Sequence, residues 1–368
     1  MKAYTYKLLT KFLSRYFKSP QYLILYVTND CWMKCRHCFY NEQFRKTNNI
    51  ENDILSFSEI EKIVLSIKKI LYLSITGGEP FMRDDLEDII KLFTKNKKVY
   101  RYQMPTSGFG TSLILEKTIR ILDENPRIPF RVHISLDGNE EVHDKIRNKK
   151  GAYRNAVETI KELNKLRKRY LHFDVGVATT ISNYNQNIIQ EISDVVESIH
   201  PDGEWCINLI RGNPEDKEIY KVNPENYSEA GNLINRRIKE GSYKGYKGHS
   251  TAKWLTAKNI VRRKIIRKVI EGKHKGGGCS AGSLGGVVYP DGSVFACELL
   301  NKSIGNLRNF DYNFPHLWNS YNADKIRNWI QESKCICTQE CNLSTNFLIQ
   351  PQTWPSLVTE RIKCIING

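Results

Sequence analysis

The sequence predicts an α/β fold built around a parallel β-sheet. Short apolar segments rich in β-branched residues alternate with amphipathic helical segments, and polar motifs follow several of the apolar segments. Strands that alternate with helices in this way are joined by right-handed crossovers and lie parallel. Six strand–helix units are too few to close an eight-stranded barrel. The predicted strands are 22–28, 72–76, 99–104, 131–136, 173–180 and 205–210.

Helices fill the intervals between the predicted strands. The clearest helix start is the Ser-Phe-Ser-Glu run at 56–59, because a serine followed three residues later by a glutamate forms a capping box. This start places Ile60, Ile63 and Val64 on the inward face of the helix. Further helices are predicted at 84–94, 113–125, 152–166 and 187–199.

The chain divides into four predicted segments. These are a basic amphipathic helix at 1–20, a core at 21–215, a basic helical bridge at 216–278 and a second module at 279–368. The first helix either packs on the core or lies on an anionic membrane surface through residues 1–18. Its apolar positions are Leu8, Leu9, Phe12, Leu13, Tyr16 and Phe17.

Positive charge is concentrated in the bridge. The net charge of the chain is +16, and residues 236–275 carry fourteen Lys and Arg against two Glu. We expect these charges on an exposed helix face, with Val261, Ile265 and Val269 docked inward. The face either guides an anionic partner or is simply solvated. Nucleic acid is not the expected partner, because no RNA-binding module is recognisable. The charged positions in question are Arg262, Arg263, Lys264, Arg267 and Lys268.

The ten cysteines are clustered, as metal ligands in a reducing compartment are, rather than dispersed as a disulfide framework. No apolar run approaches the roughly 20 residues that a membrane helix needs, and no signal peptide is visible. We therefore expect a cytoplasmic protein.

Cys31, Cys35 and Cys38 follow the first strand at C-x3-C-x2-C spacing. A structural zinc site usually has four protein ligands, and an iron–sulfur cube usually has four thiolates. Three thiols on one loop therefore predict a cube with one open iron, where a substrate or cofactor can bind. A three-thiol zinc or redox site is the alternative.

Three further motifs follow in order along the chain. Thr76-Gly77-Gly78-Glu79-Pro80 follows the second strand, Ser-Leu-Asp-Gly at 135–138 ends the fourth, and His-Asp-x-x-Arg occupies 143–147. With the cysteine triplet, these motifs resemble those of the radical S-adenosylmethionine (radical SAM) superfamily. The resemblance implies a partial (β/α)6 TIM barrel. It also implies a 4Fe–4S cluster on Cys31, Cys35 and Cys38, whose open iron binds S-adenosylmethionine.

The resemblance also implies contacts to S-adenosylmethionine. Gly77 and Gly78 would let the backbone approach its methionine end, and Glu79, followed by Pro80, would accept a hydrogen bond from its ammonium group. Arg147 would pair with its carboxylate. The remaining candidates are Ser135 and Asp137 for the ribose, His37 for the adenine in place of the usual Tyr or Phe, and Ser107 in the turn after strand three.

The second module resembles a SPASM or twitch auxiliary-cluster domain. Cys279 precedes a predicted hairpin at 286–297, and Cys297 ends it. Too few thiols follow for two fully ligated cubes, so we expect one auxiliary cluster, a 4Fe–4S cube; a structural zinc is the alternative. Either Cys335 or Cys337 would be a non-ligand. The preferred ligands are Cys279, Cys297, Cys337 and Cys341; the other cysteines of the module are Cys335 and Cys364.

The implied reaction begins with reductive cleavage of S-adenosylmethionine to a 5′-deoxyadenosyl radical, which abstracts a hydrogen atom from an unidentified substrate; the basic bridge would suit an anionic one. Oxidation, epimerisation or bond formation on a small molecule or a peptide could follow. The implied reductant is a flavodoxin or ferredoxin. Cys206, in strand six, is either a hydrogen donor to a substrate radical or a small buried residue.

Two other functions compete with this hypothesis. One is a maturase of peptides or proteins that works with a separate recognition partner. The other is a non-catalytic iron–sulfur protein that transfers electrons or acts as a scaffold. Such a protein would not need the turn at 77–80.

Overall fold

The computed structural model describes residues 3–50, 53–214, 216–241, 252–274, 278–333 and 335–366. Parts of the predicted basic bridge, 242–251 and 275–277, lie outside the described residues. The α/β fold and the six predicted parallel strands are confirmed. These strands are β1 Tyr22–Tyr26, β2 Ile70–Thr76, β3 Val99–Thr106, β4 Phe130–Ser135, β5 Phe173–Ile181 and β6 Glu204–Leu209.

Three C-terminal strands extend the same sheet beyond β1. They are β7 Gly285–Val288, β8 Ser293–Phe295 and β9 Ser303–Asn306, and the strand order is β6-β5-β4-β3-β2-β1-β7-β8-β9. The β7 strand pairs parallel with β1, Tyr22 opposite Gly285, whereas β8 is antiparallel to both of its neighbours. The C-terminal hairpin is therefore hydrogen-bonded directly to the first barrel strand.

Helices cover the outer face of the sheet. The capping box at Ser56 is present, with Glu59 N donating to Ser56 Oγ and the Glu59 carboxylate accepting from Ser56 N. The helices are α1 Ala3–Phe17, α2 Glu42–Thr47, α3 Phe57–Ser66, α4 Leu86–Lys95, α5 Thr111–Glu124, α6 Glu140–Arg147, α7 Ala152–Arg169, α8 Ile189–Ile199, α9 Pro224–Lys239, α10 Ala252–Ile270, α11 Phe314–Trp318, α12 Tyr321–Glu332, α13 Glu340–Ile349 and α14 Trp354–Ile366.

The main hydrophobic core lies between the sheet and the outer helices. Outward-facing strand residues such as Ile75, Val132 and Val175 are fully buried there. The same core continues into the C-terminal segment, where it includes Val294 and Trp318. Because alternate strand residues face opposite sides, apolar residues fill this outer layer and leave polar residues for the barrel interior.

On strands β4 to β6, the inner face of the barrel is polar and remains partly accessible to solvent. His133, Ser135, Thr180, Cys206 and Asn208 all lie on this face, and each is only half-buried. Helix α10 packs against α9, α13 and α14 on this side of the molecule. At β1 and β7, by contrast, a second hydrophobic cluster that includes Ile24, Tyr26 and Val287 fills this face, so the polar cleft is confined to the β4–β6 side.

The N-terminal helix α1 is only partly packed. Its residues Leu9, Leu13 and Phe17 pack on Leu284 and Ile349, as expected for a helix docked on the core. Within the described ranges, no helix combines the length and apolar character required to cross a membrane. The large apolar side chains of α1 that remain exposed are Leu8, Phe12 and Tyr16.

Candidate active site

The three-cysteine loop connects β1 to α2 at the carboxyl end of the barrel. Cys38 N donates to Cys35 O (3.1 Å), and Arg36 N donates to Ile146 O (2.9 Å), which ties the loop to α6. Burial raises the pKa of the Cys38 thiol to about 12, and the neighbouring Cys35 and Cys31 thiols contribute to the increase. The three thiols therefore lie within electrostatic range of one another.

The donor set of the cysteine loop consists of three thiols. Within the part of the chain that the structure describes, no three His, Cys, Asp or Glu side chains converge closely enough to hold one metal ion. An iron–sulfur cube is held by thiolates, and three of them would leave one iron open, so the chemistry of this donor set fits such a cluster.

The Gly77–Gly78 turn packs directly against the start of the cysteine loop. Gly78 N donates to Thr28 O (2.9 Å), and Glu79 N donates to Asp30 O (2.7 Å). A Cβ atom at Gly78 would lie 2.1 Å from Asp30 O, and one at Gly77 would lie 2.5 Å from Thr28 O. The backbone at 28–30 occupies the space beside both residues, so a ligand is not needed to explain these glycines.

Glu79 is buried between this turn and the end of β3. Its Oε2 atom accepts hydrogen bonds from Ser107 N (2.9 Å) and Ser107 Oγ (2.7 Å). Its Oε1 atom is buried and accepts no well-aligned hydrogen bond among the described residues. Burial raises the pKa of Glu79, and hydrogen bonding from Ser107, and more weakly from the Thr106 side chain and the Phe81 backbone, opposes that increase. A buried carboxylate oxygen without a well-aligned donor fits a cationic ligand group such as an ammonium.

Arg147 and Asp137 form a buried ion pair beside the cysteine loop. The two side chains are 2.5 Å apart, and Asp137 Oδ1 also accepts from Thr180 N (2.8 Å). Burial raises the pKa of Asp137, but the charge of the neighbouring Arg147 keeps that pKa below its usual value. Arg147 Nη1 lies 3.8 Å from Cys35 Sγ, and its Nε atom is buried with no partner among the described residues. Arg147 thus connects the ion pair to the cysteine loop.

His37 and Ser135 flank the same region. Burial and the charge of Arg147 lower the pKa of His37 to about 4, so its imidazole is neutral at physiological pH. His37 Nδ1 is buried without a hydrogen-bond partner among the described residues. Ser135 ends β4, opposite Ala178 of β5 and half-buried on the inner face.

Cys206 lies on the inner face of β6. Its Sγ atom is 3.8 Å from Asn208 Oδ1 and 3.9 Å from Arg262 Nη2. Burial raises the pKa of Cys206, so the group remains a thiol at neutral pH. The expectation that Arg262 lies on an exposed helix face is wrong. Its side chain is only 8% exposed and is directed at the barrel, because α10 covers the open side of the sheet.

The C-terminal cysteines fall into two places. Cys279, Cys335 and Cys337 line one cavity beside α13. Burial raises the pKa of Cys297 well above its usual value, and the nearby Cys337 and Cys279 thiols add to the increase. These four thiols therefore lie near one another. Cys341, by contrast, lies next to β1, where its Sγ atom is 3.0 Å from Tyr22 Oη. Cys364 is buried in α14.

Comparison with protein families decides the identity of this arrangement. The model of the radical SAM superfamily matches residues 25–216, more than half of the chain. The chain belongs to the radical SAM superfamily. The match includes the end of β1, the cysteine loop, the Gly77–Gly78 turn and strands β2 to β6. The cofactors of this superfamily, S-adenosylmethionine and a 4Fe–4S cluster, are accordingly those of this chain.

Two curated radical SAM relatives are similar over part of their length. The cysteine-type anaerobic sulfatase-maturating enzyme of Clostridium novyi (strain NT) is 26% identical over 57% of this chain and 57% of its own. The antilisterial bacteriocin subtilosin biosynthesis protein AlbA of Bacillus subtilis (strain 168) is 25% identical over 85% of this chain and 62% of its own. This radical SAM chain thus spans less than two thirds of either relative.

One solved structure shares the fold over nearly the whole chain. It is native anSMEcpe with bound AdoMet and Kp18Cys peptide, at 17% identity and a TM-score of 0.57. The match covers 94% of this chain and 98% of that one. The radical SAM fold therefore includes the C-terminal segment, in which the sequence predicts a SPASM- or twitch-like module.

Sequence reasoning missed the charged lining of the radical SAM barrel. Arg131 forms ion pairs with Asp174 and Glu204, and Asn259 Nδ2 lies 3.5 Å from Glu204 Oε1. The alternation of strands β4–β6 could have indicated that Arg131, Asp174 and Glu204 share one face. Nothing in the local sequence indicated that α10 would turn Arg262 towards them, since Lys and Arg on helices are usually exposed.

Proposed function

We propose that this protein is a radical SAM enzyme. When bound, the 4Fe–4S cluster and S-adenosylmethionine supply a 5′-deoxyadenosyl radical that abstracts a hydrogen atom from the substrate. The observation that carries the proposal is the buried Oε1 atom of Glu79, which has no well-aligned donor among the described residues, beside a loop of three thiols. A buried carboxylate oxygen of this kind is costly without a cationic ligand.

Different residues around the cysteine loop would bind different parts of the cofactors. Cys31, Cys35 and Cys38 would hold the cluster. Glu79 would accept a hydrogen bond from the ammonium group of S-adenosylmethionine. Arg147, held by Asp137 and close to Cys35, would place positive charge beside its carboxylate.

The other contacts lie around the edge of the same site. The neutral ring of His37 would pack on the adenine. Ser135 would face the ribose from the end of β4. Asp137 would act mainly by holding Arg147, because its carboxylate already has two partners.

An auxiliary cluster would occupy the second thiol group. Cys279, Cys297 and Cys337 are ligands in both sets that we consider. The fourth is Cys335, which lines the same cavity, or Cys341, which the spacing of the sequence favours. The position of Cys341 beside Tyr22 supports Cys335 as the fourth ligand.

A polypeptide is the substrate that we infer for this enzyme. The two curated relatives are named for the maturation of a sulfatase and the biosynthesis of the bacteriocin subtilosin. The half-buried polar inner face of strands β4 to β6 would accept a peptide segment next to Cys206. Cys206 would donate a hydrogen atom to a substrate radical, and one electron from the flavodoxin or ferredoxin, with one proton, would return the resulting thiyl radical to the thiol. A small-molecule substrate is the second candidate, since the open interior suits it equally well.

Partners outside the active site follow from the same account. A flavodoxin or ferredoxin would supply the electron, and the clustered cysteines suit a reducing compartment such as the cytoplasm. Helix α1 would touch an anionic membrane through its exposed residues Leu8, Phe12 and Tyr16, with Lys11 nearby. Replacement of Phe12 and Tyr16 by Ser should reduce sedimentation with anionic vesicles; unchanged sedimentation would contradict the contact.

The radical SAM activity can be tested without a known substrate. Anaerobically reconstituted protein, reduced with dithionite, should convert S-adenosylmethionine to 5′-deoxyadenosine, which chromatography with mass detection measures. The Cys364→Ala protein is the matched control and should retain this activity, because Cys364 lies on α14, away from the cysteine loop. Absence of 5′-deoxyadenosine from the wild-type reaction would contradict the proposal.

The substrate class requires a second experiment. Peptides and metabolites from cells that carry the wild-type protein should be compared with those from cells that carry the Cys35→Ala variant. A peptide whose mass changes only with the wild type would support the polypeptide substrate. A change confined to metabolites would favour the small molecule.

A further inference from the structure

Helix α10 carries two cations to the inner side of the barrel. Lys258 and Arg262 are four residues apart, so their side chains lie on the same helix face. Arg262 Nη2 is 3.9 Å from Cys206 Sγ, and Arg262 Nη1 is 3.3 Å from Ser344 Oγ of α13. Arg262 therefore lies beside the only cysteine on β6, and Lys258 lies one helical turn before it on the same face of α10. Lys258 interacts electrostatically with Glu204, Cys341 and Cys206.

The nearby carboxylates are already bound by other groups. Arg131 forms ion pairs with both Glu204 and Asp174, and Arg211 forms one with Glu340. Within the described ranges, Lys258 forms no ion pair or hydrogen bond with another residue. Its electrostatic interactions with neighbouring groups act over longer distances.

The carboxylate of Glu298 is also hydrogen-bonded within the protein. It accepts from Tyr26 Oη (2.7 Å) and from Gln339 Nε2 (3.0 Å). The protein thus satisfies its own interior carboxylates and leaves an ammonium group in the cleft without a fixed anionic partner.

This arrangement is costly unless an anion joins it. Two like charges near each other in a partly desolvated place repel, and each loses hydration. Burial, and then the charge of Arg262, lower the pKa of Lys258 to about 8. A titratable group that is perturbed in this way within a cleft commonly marks a functional site.

We infer that Lys258 and Arg262 bind a carboxylate of the substrate inside the barrel, next to Cys206. This inference rests on the proposed function, because it assigns the group that the proposed polypeptide would present. The carboxylate could come from an acidic side chain or from the C-terminus of the peptide. Charge-assisted hydrogen bonds from an ammonium and a guanidinium, with the Ser344 hydroxyl beside them, suit either source. The subsite would fix the substrate relative to Cys206.

The subsite can be tested with amine-reactive probes of different charge. Pyridoxal 5′-phosphate is anionic and pyridoxal is not, and both form reducible adducts with lysine. After trapping with cyanoborohydride and peptide mapping, Lys258 should react about tenfold faster with the anionic probe, which corresponds to about 1.4 kcal/mol. Lys264, on the same helix but exposed and paired with Glu360, is the internal control and should show little preference.

Two variants assign the preference to Arg262. Arg262→Gln should abolish the preference of Lys258 for the anionic probe, whereas Arg262→Lys, which keeps the positive charge, should retain it. A preference that is retained in Arg262→Lys would show that its loss in Arg262→Gln comes from the missing charge and not from misfolding. Equal reaction of Lys258 with both probes in the wild type, or an unchanged preference in Arg262→Gln, would overturn the inference.

Competing ligands distinguish the sources of the anion. N-acetylglutamate N-methylamide presents a side-chain carboxylate, and N-acetylalanine presents a C-terminal one; protection of Lys258 by either supports the inference and identifies the source. Protection by inorganic phosphate alone would overturn the carboxylate assignment. None of these readouts requires cleavage of S-adenosylmethionine, so failure of the subsite and failure of the proposed function are distinguishable.

Discussion

Ser107 donates two hydrogen bonds to the same oxygen of Glu79, one from its backbone N and one from its hydroxyl. The two residues follow neighbouring parallel strands, β3 and β2, whose carboxyl ends meet at one edge of the sheet. The bonds fix one carboxylate oxygen and leave the other without a well-aligned donor among the described residues. Ser107 therefore holds Glu79 in position for a cationic ligand.

Ser107→Ala should weaken the binding of S-adenosylmethionine. Loss of the hydroxyl removes a hydrogen bond to a charged group, worth about 1.5 kcal/mol, so the dissociation constant should increase about tenfold. Calorimetric titration of the reconstituted protein measures this change. Ser198→Ala is the matched control, because the Ser198 hydroxyl bonds only to Val195 O on an exposed helix turn. Equal affinity in the wild type and Ser107→Ala would refute the positioning role.

Gly78→Ala should displace the start of the cysteine loop. The added Cβ would meet Asp30 O at 2.1 Å, which the backbone can relieve only by moving. Overpacking of this kind costs about 1–3 kcal/mol, and the iron bound by the loop should fall as well. Denaturant unfolding and iron analysis measure the two effects.

Gly231→Ala is the control for this prediction. It adds the same methyl group within helix α9, where the nearest atom, Arg263 Nε, is 3.4 Å away. The change should be neutral or stabilising by up to about 1 kcal/mol, because Ala favours the helix. If Gly78→Ala behaved like Gly231→Ala, the turn would not support the loop as described.

Local patterns predicted the strands, the capping box at Ser56 and the order of the site motifs. These features depend on a few consecutive residues, and their periodicity is visible in the sequence. Long-range features were not predictable in this way. Glu59, predicted only as part of the capping box, also binds Arg308, and β7 pairs with β1. The burial of Arg262 depends on where α10 crosses the barrel, which no local pattern encodes.

The Glu59–Arg308 pair should make stability depend on pH. The hydrogen bond from Arg308 lowers the pKa of Glu59 to about 2. A carboxyl whose pKa is lowered in the folded state stabilises that state at pH values above its unfolded-state pKa of about 4.3. This contribution is lost as the pH falls towards 2. Arg308→Met should therefore reduce the free energy of unfolding by about 1 kcal/mol at pH 7 and by much less near pH 3.

Urea unfolding of the metal-free chain at both pH values measures this difference. Arg154→Met is the control, because its ion pair with Glu140 is exposed and should contribute little at either pH. An equal loss of stability in Arg308→Met at pH 7 and pH 3 would show that the variant acts through packing and not through the charge of Glu59.

The two candidate fourth ligands of the auxiliary cluster can be separated by iron content. Two cubes of four irons give about eight irons per chain. Cys335→Ala should reduce this to about four, whereas Cys341→Ala should retain about eight, since Cys341 lies beside Tyr22. The reverse result would assign Cys341 to the cluster, and zinc in place of four of the irons in the wild-type protein would replace the cluster with a structural zinc.

The cysteine loop is the centre of this account, and one variant tests it most directly. The protein with Cys31, Cys35 and Cys38 all replaced by Ala should be reconstituted and assayed for iron and 5′-deoxyadenosine in the same sample. We predict about four irons, from the auxiliary cube alone, and no 5′-deoxyadenosine above the level without enzyme. Continued formation of 5′-deoxyadenosine by this variant would contradict the assignment of the loop as the site of S-adenosylmethionine cleavage.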